Sequence, residues 1–348
     1  MDIIYIIQVF TLTIIAFIVA LLWAPLMTNF LYRHKLGKGI RDAETAPIFA
    51  SMHAKKAGTP TMGGILIWGT LLFLISVLAI LDALFGGVFT YLNFLSRNET
   101  LLPLGALIAC AVIGLVDDLF DIWRIGHKGG GLKMRHRFLI YSIIAAIGAW
   151  WFYYKLGWTI LHVPFIGEFE IGWWYIPFFI FIIVGTAFSV NEIDGLDGLA
   201  GGTLSTAFAA FGVIAFAMGK YDLAAFCGVI VGGLLAFLWF NINPARFFMG
   251  DTGSMSLGVT LGIIAMLTNQ ALLLPIIGFL FLLETMSVII QLTSKKFFGR
   301  KVFLSAPIHH HFEAIGWSEP KIVMRFWVIA AMSAVFGLII FLLDRALL

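Results

Sequence analysis

Charge is scarce in this sequence. Asp, Glu, Lys and Arg make up 12% of the 348 residues, while 61% of the residues are hydrophobic. Soluble globular proteins carry about 25% charged residues, and disordered chains are far less hydrophobic than this one. A water-soluble enzyme and a disordered protein are therefore excluded. Cysteine is also scarce: Cys110 and Cys227 both lie in apolar runs, which favours small core residues over a disulfide.

Long uncharged runs are what the sequence has instead. A transmembrane helix needs about 20 apolar residues, whereas a barrel strand needs about 10 with alternation. Nine runs contain no Asp, Glu, Lys or Arg: 3–32, 62–81, 101–116, 138–154, 171–191, 198–219, 223–245, 252–283 and 326–343. The run 252–283 is too long for one span and contains the polar break Thr268-Asn269-Gln270. We predict an all-α integral membrane protein of about ten transmembrane helices, forming one polytopic domain over 1–348.

The basic residues indicate the orientation of these spans. With ten spans, all but four of the 22 Lys and Arg residues fall on one set of alternating loops, the exceptions being Arg97, Lys155, Lys220 and Arg345. Basic loops mark the cytoplasmic side. We therefore expect both termini on the outer side. The first run should be a span and no cleaved signal peptide, because Met1-Asp2 lacks a basic n-region.

Acidic residues lie at the cytoplasmic ends of several spans. Asp117 and Asp118 directly follow an uncharged run. Carboxylates at a membrane boundary are costly unless they are hydrated, paired or bound to a cation. An ordinary cytoplasmic helix end is the alternative. Asp251 directly precedes another run and is placed to cap that helix, a role that can coexist with metal binding.

Two further inner loops combine turns with polar groups. Asp194-Gly195-Leu196-Asp197-Gly198, preceded by Asn191, predicts a glycine-permitted turn presenting two carboxylates, without the length or terminal Glu of a calcium loop. Lys56 precedes Gly58-Thr59-Pro60-Thr61, a turn whose amides and cation suit phosphate. The alternative for this loop is ordinary positive-inside lysines.

The last inner loop contains His309-His310-His311. Three consecutive histidines cannot all face one way on a helix, and no thiolate accompanies them, which argues against zinc. Imidazoles that donate to phosphate are the better functional interpretation. The loop after Asp118 adds a basic patch of Lys128, Lys133, Arg135 and Arg137. Carboxylates and cations on one membrane face suit a hard cation such as Mg²⁺ holding phosphates, although no P-loop pattern is present.

Five motifs occur in the order found in one family. They are 57–64 (AGTPTMGG), Asp117-Asp118, Asn191 with 194–198 (DGLDG), 248–254 (FMGDTGS) and 309–313 (HHHFE). Together they resemble the phospho-N-acetylmuramoyl-pentapeptide-transferase family, within the polyprenyl-phosphate N-acetylhexosamine-1-phosphate transferases. The resemblance covers nearly the whole chain.

The resemblance implies a Mg²⁺-dependent transferase of the bacterial inner membrane that serves peptidoglycan synthesis, and hence cell-wall biogenesis, cell shape and cell division. Phospho-MurNAc-pentapeptide would move from UDP-MurNAc-pentapeptide to undecaprenyl phosphate, giving lipid I and UMP. The expected partners are these two substrates and the lipid bilayer, with no nucleic acid; a homodimer is left open.

Site residues follow from the same resemblance. Asp251 is the implied principal Mg²⁺ ligand, and Asp117 and Asp118 would position or deprotonate the lipid phosphate and share in metal binding. The remaining implied catalytic residues are Lys133, Asn191, His309, His310 and His311. The implied substrate-binding residues are Lys56, Thr61, Asp194, Gly195, Leu196, Asp197, Asn241, Phe248, for stacking on uracil, and Gln291, near the muramyl-peptide end.

The sequence departs from the family pattern at one point. Phe188 replaces the first Asn of the Asn-x-x-Asn motif, and Glu192-Ile193 replaces the usual Leu-Thr.

Two alternative functions stay open. One is a sister enzyme that transfers GlcNAc-1-phosphate, which 306–313 (APIHHHFE) disfavours. The other is a transporter, which would place ionisable residues near the bilayer midplane, where Glu284 is the main exception among these nearly charge-free spans.

Overall fold

The computed structural model describes residues 2–37, 56, 58–97, 99–126 and 130–347. The apolar runs form long helices, because a helix satisfies its own backbone hydrogen bonds where no water is available. The helices are α1 (Asp2–Arg33), α2 (Gly64–Phe85), α3 (Val88–Leu92), α4 (Leu101–Ile122), α5 (Met134–Trp150), α6 (Tyr175–Ile193), α7 (Leu199–Ala217), α8 (Tyr221–Asn241), α9 (Asp251–Leu267), α10 (Leu274–Ile277), α11 (Phe279–Phe298), α12 (Ile308–Ala314) and α13 (Glu319–Leu347).

Eight of the helices in these ranges are long and apolar enough to cross a membrane: α1, α2, α4, α5, α6, α7, α8 and α13. The helix α9 is apolar but has only 17 residues. The segment 271–277 and α11 pass the same test together and are bent by 82° between them. The helical membrane class is thus confirmed, whereas the total of ten spans stays a prediction.

The long run 252–283 divides where its polar residues predict. The helix α9 ends at Leu267, and Asn269 turns the chain with φ 51°. The following segment is less regular than a single predicted helix, because the chain breaks again at Gly278 before α11. The helix α11 then continues to Phe298, past the end of the uncharged run at residue 283.

A short β-hairpin lies at the end of the helical bundle that carries the predicted outer loops, and the sequence did not predict it. Its strands are β1 (Ile160–Val163) and β2 (Gly167–Glu170), paired antiparallel. Asp344, near the end of α13, accepts hydrogen bonds from the Phe165 amide at 2.5 Å and from Nε2 of His162 at 2.6 Å. The hairpin is therefore tied to the end of the last helix.

The two terminal helices reach the same end of the bundle. Tyr5 of α1 stacks on Tyr221, with ring centroids 4.0 Å apart, and Arg345 donates to the carbonyl oxygen of Ala217. The 218–220 turn therefore lies beside residues near both chain ends. This common end agrees with the alternation predicted for the loops.

The helix α9 runs through the centre of the bundle and is buried along its whole length. Glycines let its neighbours approach closely, as is common between helices in membranes. A Cβ on Gly114 of α4 would lie 2.6 Å from Cα of Thr252, and a Cβ on Gly258 of α9 would lie 2.8 Å from Cα of Ala187 in α6. The start of α9 is thereby held against the carboxylate-bearing end of α4.

Candidate active site

The first turn of α9 is capped by a neighbouring helix. Asp118 of α4 accepts hydrogen bonds from the backbone amides of Asp251 at 3.1 Å and Thr252 at 3.0 Å. The prediction that Asp251 caps this helix is wrong, because the residue before the helix is Gly250, with φ 75°, and Asp251 is already the first helical residue. Gly250 is required here, since a Cβ would lie 2.6 Å from Oδ2 of Asp118.

The loop that contains Thr61 pairs with the chain just before α9. The Phe248 amide donates to the carbonyl of Pro60 at 2.8 Å, and the Gly63 amide donates back to the carbonyl of Phe248 at 2.7 Å. The Thr61 hydroxyl is fully buried and donates to Oδ1 of Asp118 at 3.2 Å. Thr61 therefore helps to orient a carboxylate.

Four side chains from four elements meet beside Asp118. Nη2 of Arg137, in α5, lies 2.8 Å from Oδ2 of Asp117 and 2.7 Å from Oδ2 of Asp251. Asn191, at the end of α6, accepts from Nη1 of Arg137 at 3.2 Å and donates to Oδ1 of Asp251 at 2.6 Å. The predicted residues Asp117, Asn191 and Asp251 are thus brought together, with Arg137 at their centre.

Burial makes this cluster unlike an ordinary helix end. Asp117 and Asp118 have no exposed surface, and Asp251 is 5% exposed. Their three carboxylates and the guanidinium of Arg137 leave a formal charge of minus two. Charge in so dry a place requires compensation. The residual charge is the one that a divalent cation neutralises.

The donor chemistry of this cluster fits Mg²⁺, which prefers carboxylate oxygens. Oδ2 of Asp117 and Oδ2 of Asp251 already converge on one positive group, the guanidinium of Arg137. Within the described part of the chain, no three His, Cys, Asp or Glu side chains are arranged as a ready metal site. The carboxylates needed are present, and a protein cation lies between them.

A second polar cluster surrounds Lys56. Its ammonium lies 2.7 Å from Oδ1 of Asp197 and 2.5 Å from Oε1 of Glu319, the first residue of α13. Asn243 donates to both carboxylates, at 3.0 Å to Asp197 and 3.2 Å to Glu319. The Lys56 ammonium also lies 5.9 Å from the centroid of the half-buried Phe248 ring. A flat apolar ring and hydrogen-bonding groups thus adjoin one another.

The turn between α6 and α7 lies against this Lys56 cluster. Gly198, in the left-handed region with φ 83°, donates its amide to Oδ1 of Asn241 at 2.8 Å. Asn241 also donates to the carbonyl of Phe247 at 2.8 Å, so its carboxamide joins two loops. Asp194 ends α6, and Leu196 is buried. The predicted tight turn is present, with Asp197 directed to Lys56.

His309 is enclosed and does not line an open cleft. Its Nδ1 lies 3.0 Å from Oε2 of Glu284, and neither side chain has exposed surface. Burial by itself would lower the pKa of His309, but the carboxylates around it, Glu284 foremost and then Glu313 and Glu192, together raise the pKa above the usual value. Gly195 lies directly over the imidazole, where a Cβ would be 2.9 Å from Cε1. His309 therefore supports the turn at Gly195.

The other two histidines face different partners, as their consecutive positions predict. Nδ1 of His310 lies 2.7 Å from Oε2 of Glu313, and Nδ1 of His311 accepts from the Leu304 amide at 3.3 Å. Gln291 uses its carbonyl oxygen to accept from Val302 and Phe303 amides, each at 3.0 Å. Gln291 thus orders the segment that leads to the histidines.

The structure describes one of the two lysines of the predicted basic patch. Lys133 is exposed and directly precedes α5, one turn before Arg137. Lys128 lies outside the described residues. Phe188, at the position where the family pattern has Asn, stacks on Phe138 of α5 with ring centroids 5.0 Å apart. Phe138 directly follows Arg137 in sequence, so this apolar contact lies next to the cluster.

Three central residues were not among those predicted for the site: Arg137, Glu284 and Glu319. Arg137 was one of four cations in a basic patch, and no local pattern distinguished it. Glu284 had a signal, because it is a lone charge inside an apolar run. Glu319 had none, since an acidic residue in the first turn of a helix is common for its interaction with the helix dipole.

Known proteins resemble this chain over the ranges that contain these motifs. A family model described as Glycosyl transferase family 4 matches residues 100–269, and one described as Phospho-N-acetylmuramoyl-pentapeptide-transferase signature 1 matches residues 56–67. The second match includes Lys56 and Thr61, and the first includes the Asp117, Asn191 and Asp251 cluster.

Curated relatives align over almost the entire chain. The phospho-N-acetylmuramoyl-pentapeptide-transferase of Geobacillus thermodenitrificans is 42% identical over 328 residues, covering 94% of this chain and 95% of the relative. Those of Desulforamulus reducens and Chloroflexus aggregans are 41% identical over 331 residues and 39% identical over 336 residues. They cover 93% of this chain each, and 93% and 86% of the relatives. With its buried carboxylate cluster and these relatives, the chain belongs to the phospho-N-acetylmuramoyl-pentapeptide-transferase family.

Proposed function

We propose that this protein transfers phospho-MurNAc-pentapeptide from UDP-MurNAc-pentapeptide to undecaprenyl phosphate, forming lipid I and UMP for peptidoglycan synthesis. The observation that carries the proposal is the cluster of Asp117, Arg137, Asn191 and Asp251, in which the two carboxylates are buried. It offers both charge signs at one end of a membrane-embedded bundle. A water-soluble nucleotide donor and a lipid acceptor can meet at such a place.

We further propose that the protein lies in the bacterial inner membrane, with its site on the cytoplasmic face and both termini outside. The loop charge asymmetry supports this orientation. The helix ends that carry Asp118, Asn191 and Asp251 also meet one another and the loop that carries Thr61. A homodimer stays open as a proposal for its assembly.

Magnesium is the proposed cofactor, held by Asp251 and Asp117. When bound, Mg²⁺ would neutralise the diphosphate oxygens and so favour attack on phosphorus. Asp118 has a different part, because both of its oxygens accept from the α9 amides. It positions Asp251 relative to the rest of the cluster.

The proposed reaction is a direct displacement at the β-phosphorus of the donor. An oxygen of the lipid phosphate forms the new P–O bond, and the bond from the β-phosphorus to the bridging oxygen breaks. UMP leaves with that oxygen. A polyprenyl phosphate is already ionised near neutral pH, so no strong base is required. Arg137, Lys133 and Asn191 would hold phosphate oxygens, which makes positioning and charge neutralisation the main catalytic effects.

The uridine end is assigned to the cluster around Lys56. Phe248 is half-buried and would stack on the uracil ring, while Lys56, Asp197 and Asn241 supply polar contacts around it. His310 and Gln291 belong to the segment assigned to the phosphosugar and peptide. His309 would act through Gly195, since it is buried against Glu284.

The test is release of UMP by the purified protein in detergent. UDP-MurNAc-pentapeptide and UDP-GlcNAc are offered separately with undecaprenyl phosphate, each with Mg²⁺ and with chelator. We expect UMP only from the MurNAc donor and only with Mg²⁺. Exclusive use of UDP-GlcNAc would show that the protein transfers GlcNAc-1-phosphate. Movement of a solute in proteoliposomes without UMP release would show that it is a transporter and would refute the proposed enzymatic function. Asp251→Asn should abolish turnover while the protein stays folded.

A further inference from the structure

We propose that Arg137 is a built-in counter-cation that competes with the divalent metal for Asp117 and Asp251. The proposal rests on the metal assignment above and goes beyond it. It makes metal binding and release of the guanidinium one linked event. The guanidinium freed in this way would then be available to the diphosphate.

The use of the individual carboxylate oxygens carries this inference. Oδ1 of Asp117 accepts from the Leu132 amide at 2.6 Å, and Oδ1 of Asp251 accepts from Asn191 at 2.6 Å. The other oxygen of each carboxylate lies on the same nitrogen of Arg137, at 2.8 and 2.7 Å. The two carboxylate oxygens that converge on one point, Oδ2 of Asp117 and Oδ2 of Asp251, are therefore those that Arg137 contacts.

Asp118 offers no alternative oxygen to a metal. Its Oδ1 accepts from Thr61 and from the Asp251 amide, and its Oδ2 accepts from the Thr252 amide. If Asp118 bound a metal, its carboxylate would have to give up hydrogen bonds to the first amides of α9. Asp117 and Asp251 can bind a metal without that cost, provided that Nη2 of Arg137 moves away.

Mg²⁺ and the guanidinium cannot share these oxygens unchanged. Mg²⁺ needs oxygens at about 2.0–2.1 Å in near-octahedral geometry. A cation that close to both oxygens would occupy the space that Nη2 now fills, and the two positive charges would repel each other. Binding the metal must therefore break at least one of the Arg137 contacts.

The released guanidinium would be close to where the diphosphate is proposed to bind. Arg137 lies one turn after Lys133 on α5, and its side chain is 16% exposed, so it borders the accessible side of the cluster. Guanidinium groups bind phosphate oxygens in a bidentate manner. A diphosphate that attracts Arg137 would draw the guanidinium away from the carboxylates and leave them open to the metal. The diphosphate and the metal should therefore bind cooperatively.

Metal affinity in the absence of substrate tests the competition. Mn²⁺ binding to the detergent-purified protein is followed by electron paramagnetic resonance for the wild type, Arg137→Gln, Arg137→Lys and Arg135→Gln. Arg135 is an exposed cation two residues away, so Arg135→Gln controls for the general loss of one positive charge. We expect Arg137→Gln to bind Mn²⁺ at least tenfold more tightly. Arg135→Gln and Arg137→Lys should stay within threefold of the wild type.

A measurement on the wild type covers the case in which a variant does not fold. Phenylglyoxal modifies accessible arginines, and its rate at individual residues is read by mass spectrometry. We expect Mn²⁺ to accelerate modification of Arg137 several-fold and to leave Arg135 unchanged. Protection of Arg137 by Mn²⁺, or Mn²⁺ binding by Arg137→Gln that is equal to or weaker than that of the wild type, would overturn the proposal. Neither measurement depends on transfer, so UMP release by the wild type still tests the proposed function separately.

Discussion

The contact between α4 and α9 at Gly114 should control how the carboxylates are positioned. A Cβ at Gly114 would lie 2.5 Å from the carbonyl carbon of Asp251 and 2.6 Å from Cα of Thr252. These distances are about 1 Å shorter than the optimum of about 3.5 Å for carbon atoms. Both neighbours are backbone atoms, so Gly114→Ala cannot be relieved by a side-chain rotation. The two helices would have to separate by a similar distance.

That separation should affect activity more than folding. Overpacking of this kind costs about 1–3 kcal/mol. Asp117 and Asp118 lie one turn after Gly114 on the same helix, so they would move away from the start of α9. A misplacement of about 1 Å in a catalytic arrangement can reduce the rate about 100-fold. We therefore expect Gly114→Ala to lose about 100-fold in the rate of UMP release.

The same helix supplies a matched control. A Cβ on Gly105 of α4 would have no neighbouring atom within 4 Å, so Gly105→Ala makes the same chemical change without a clash. It should keep a rate within about twofold of the wild type and gain up to about 1 kcal/mol from helix propensity. Both variants are compared by UMP release and by thermal melting in detergent. A Gly114→Ala protein with a rate near that of the wild type would show that close α4–α9 contact does not position the site.

Three further substitutions test other contacts. Asp118→Ala leaves two amides and a hydroxyl without their acceptor, which costs about 1–3 kcal/mol for each such group. Its melting temperature should therefore fall well below that of Asp118→Asn. Equal melting temperatures would contradict the capping role of Asp118. Glu319→Gln should raise KM for the nucleotide donor several-fold with little change in kcat, because it loosens Lys56; a fall in kcat alone would argue against this. Because Glu284 raises the pKa of His309, their pair stabilises the protein fully below the ordinary histidine pKa, and this contribution is lost as pH rises through the raised value. Between about pH 6 and about pH 9, the melting temperature should fall more steeply for the wild type than for Glu284→Gln. Parallel curves would show that the pair of Glu284 and His309 does not contribute to stability.

The sequence predicts well whatever depends on neighbouring residues. Uncharged runs predicted the long helices, and the polar break at Thr268-Asn269-Gln270 predicted the end of α9. The same local logic fails for the hairpin of β1 and β2, whose turn is held by Asp344, 179 residues further along the chain than Phe165. Contacts between distant segments leave no periodicity in either segment.

Charged residues show the same limit inside the site. The basic patch after Asp118 was evident, but only the three-dimensional arrangement distinguishes the partly buried Arg137 from the exposed Arg135. Glu319 appears in sequence as an ordinary helix-start acid, yet it holds Lys56, which lies 263 residues away. Helix packing decides which residue of a charged group lies at the centre of the site. Local sequence patterns do not encode that packing.

Asp117 and Asp118 show why adjacent residues of one motif need separate roles. Successive residues on a helix point about 100° apart. In α4 that rotation directs Asp118 to the amides of α9 and Asp117 to Arg137 and the Leu132 amide. Because Asp118 is committed to the backbone, its negative charge acts by holding Asp251 at the start of α9. Asp117 instead places Oδ2 2.8 Å from Nη2 of Arg137, so of the two it is the one that we propose for direct metal binding.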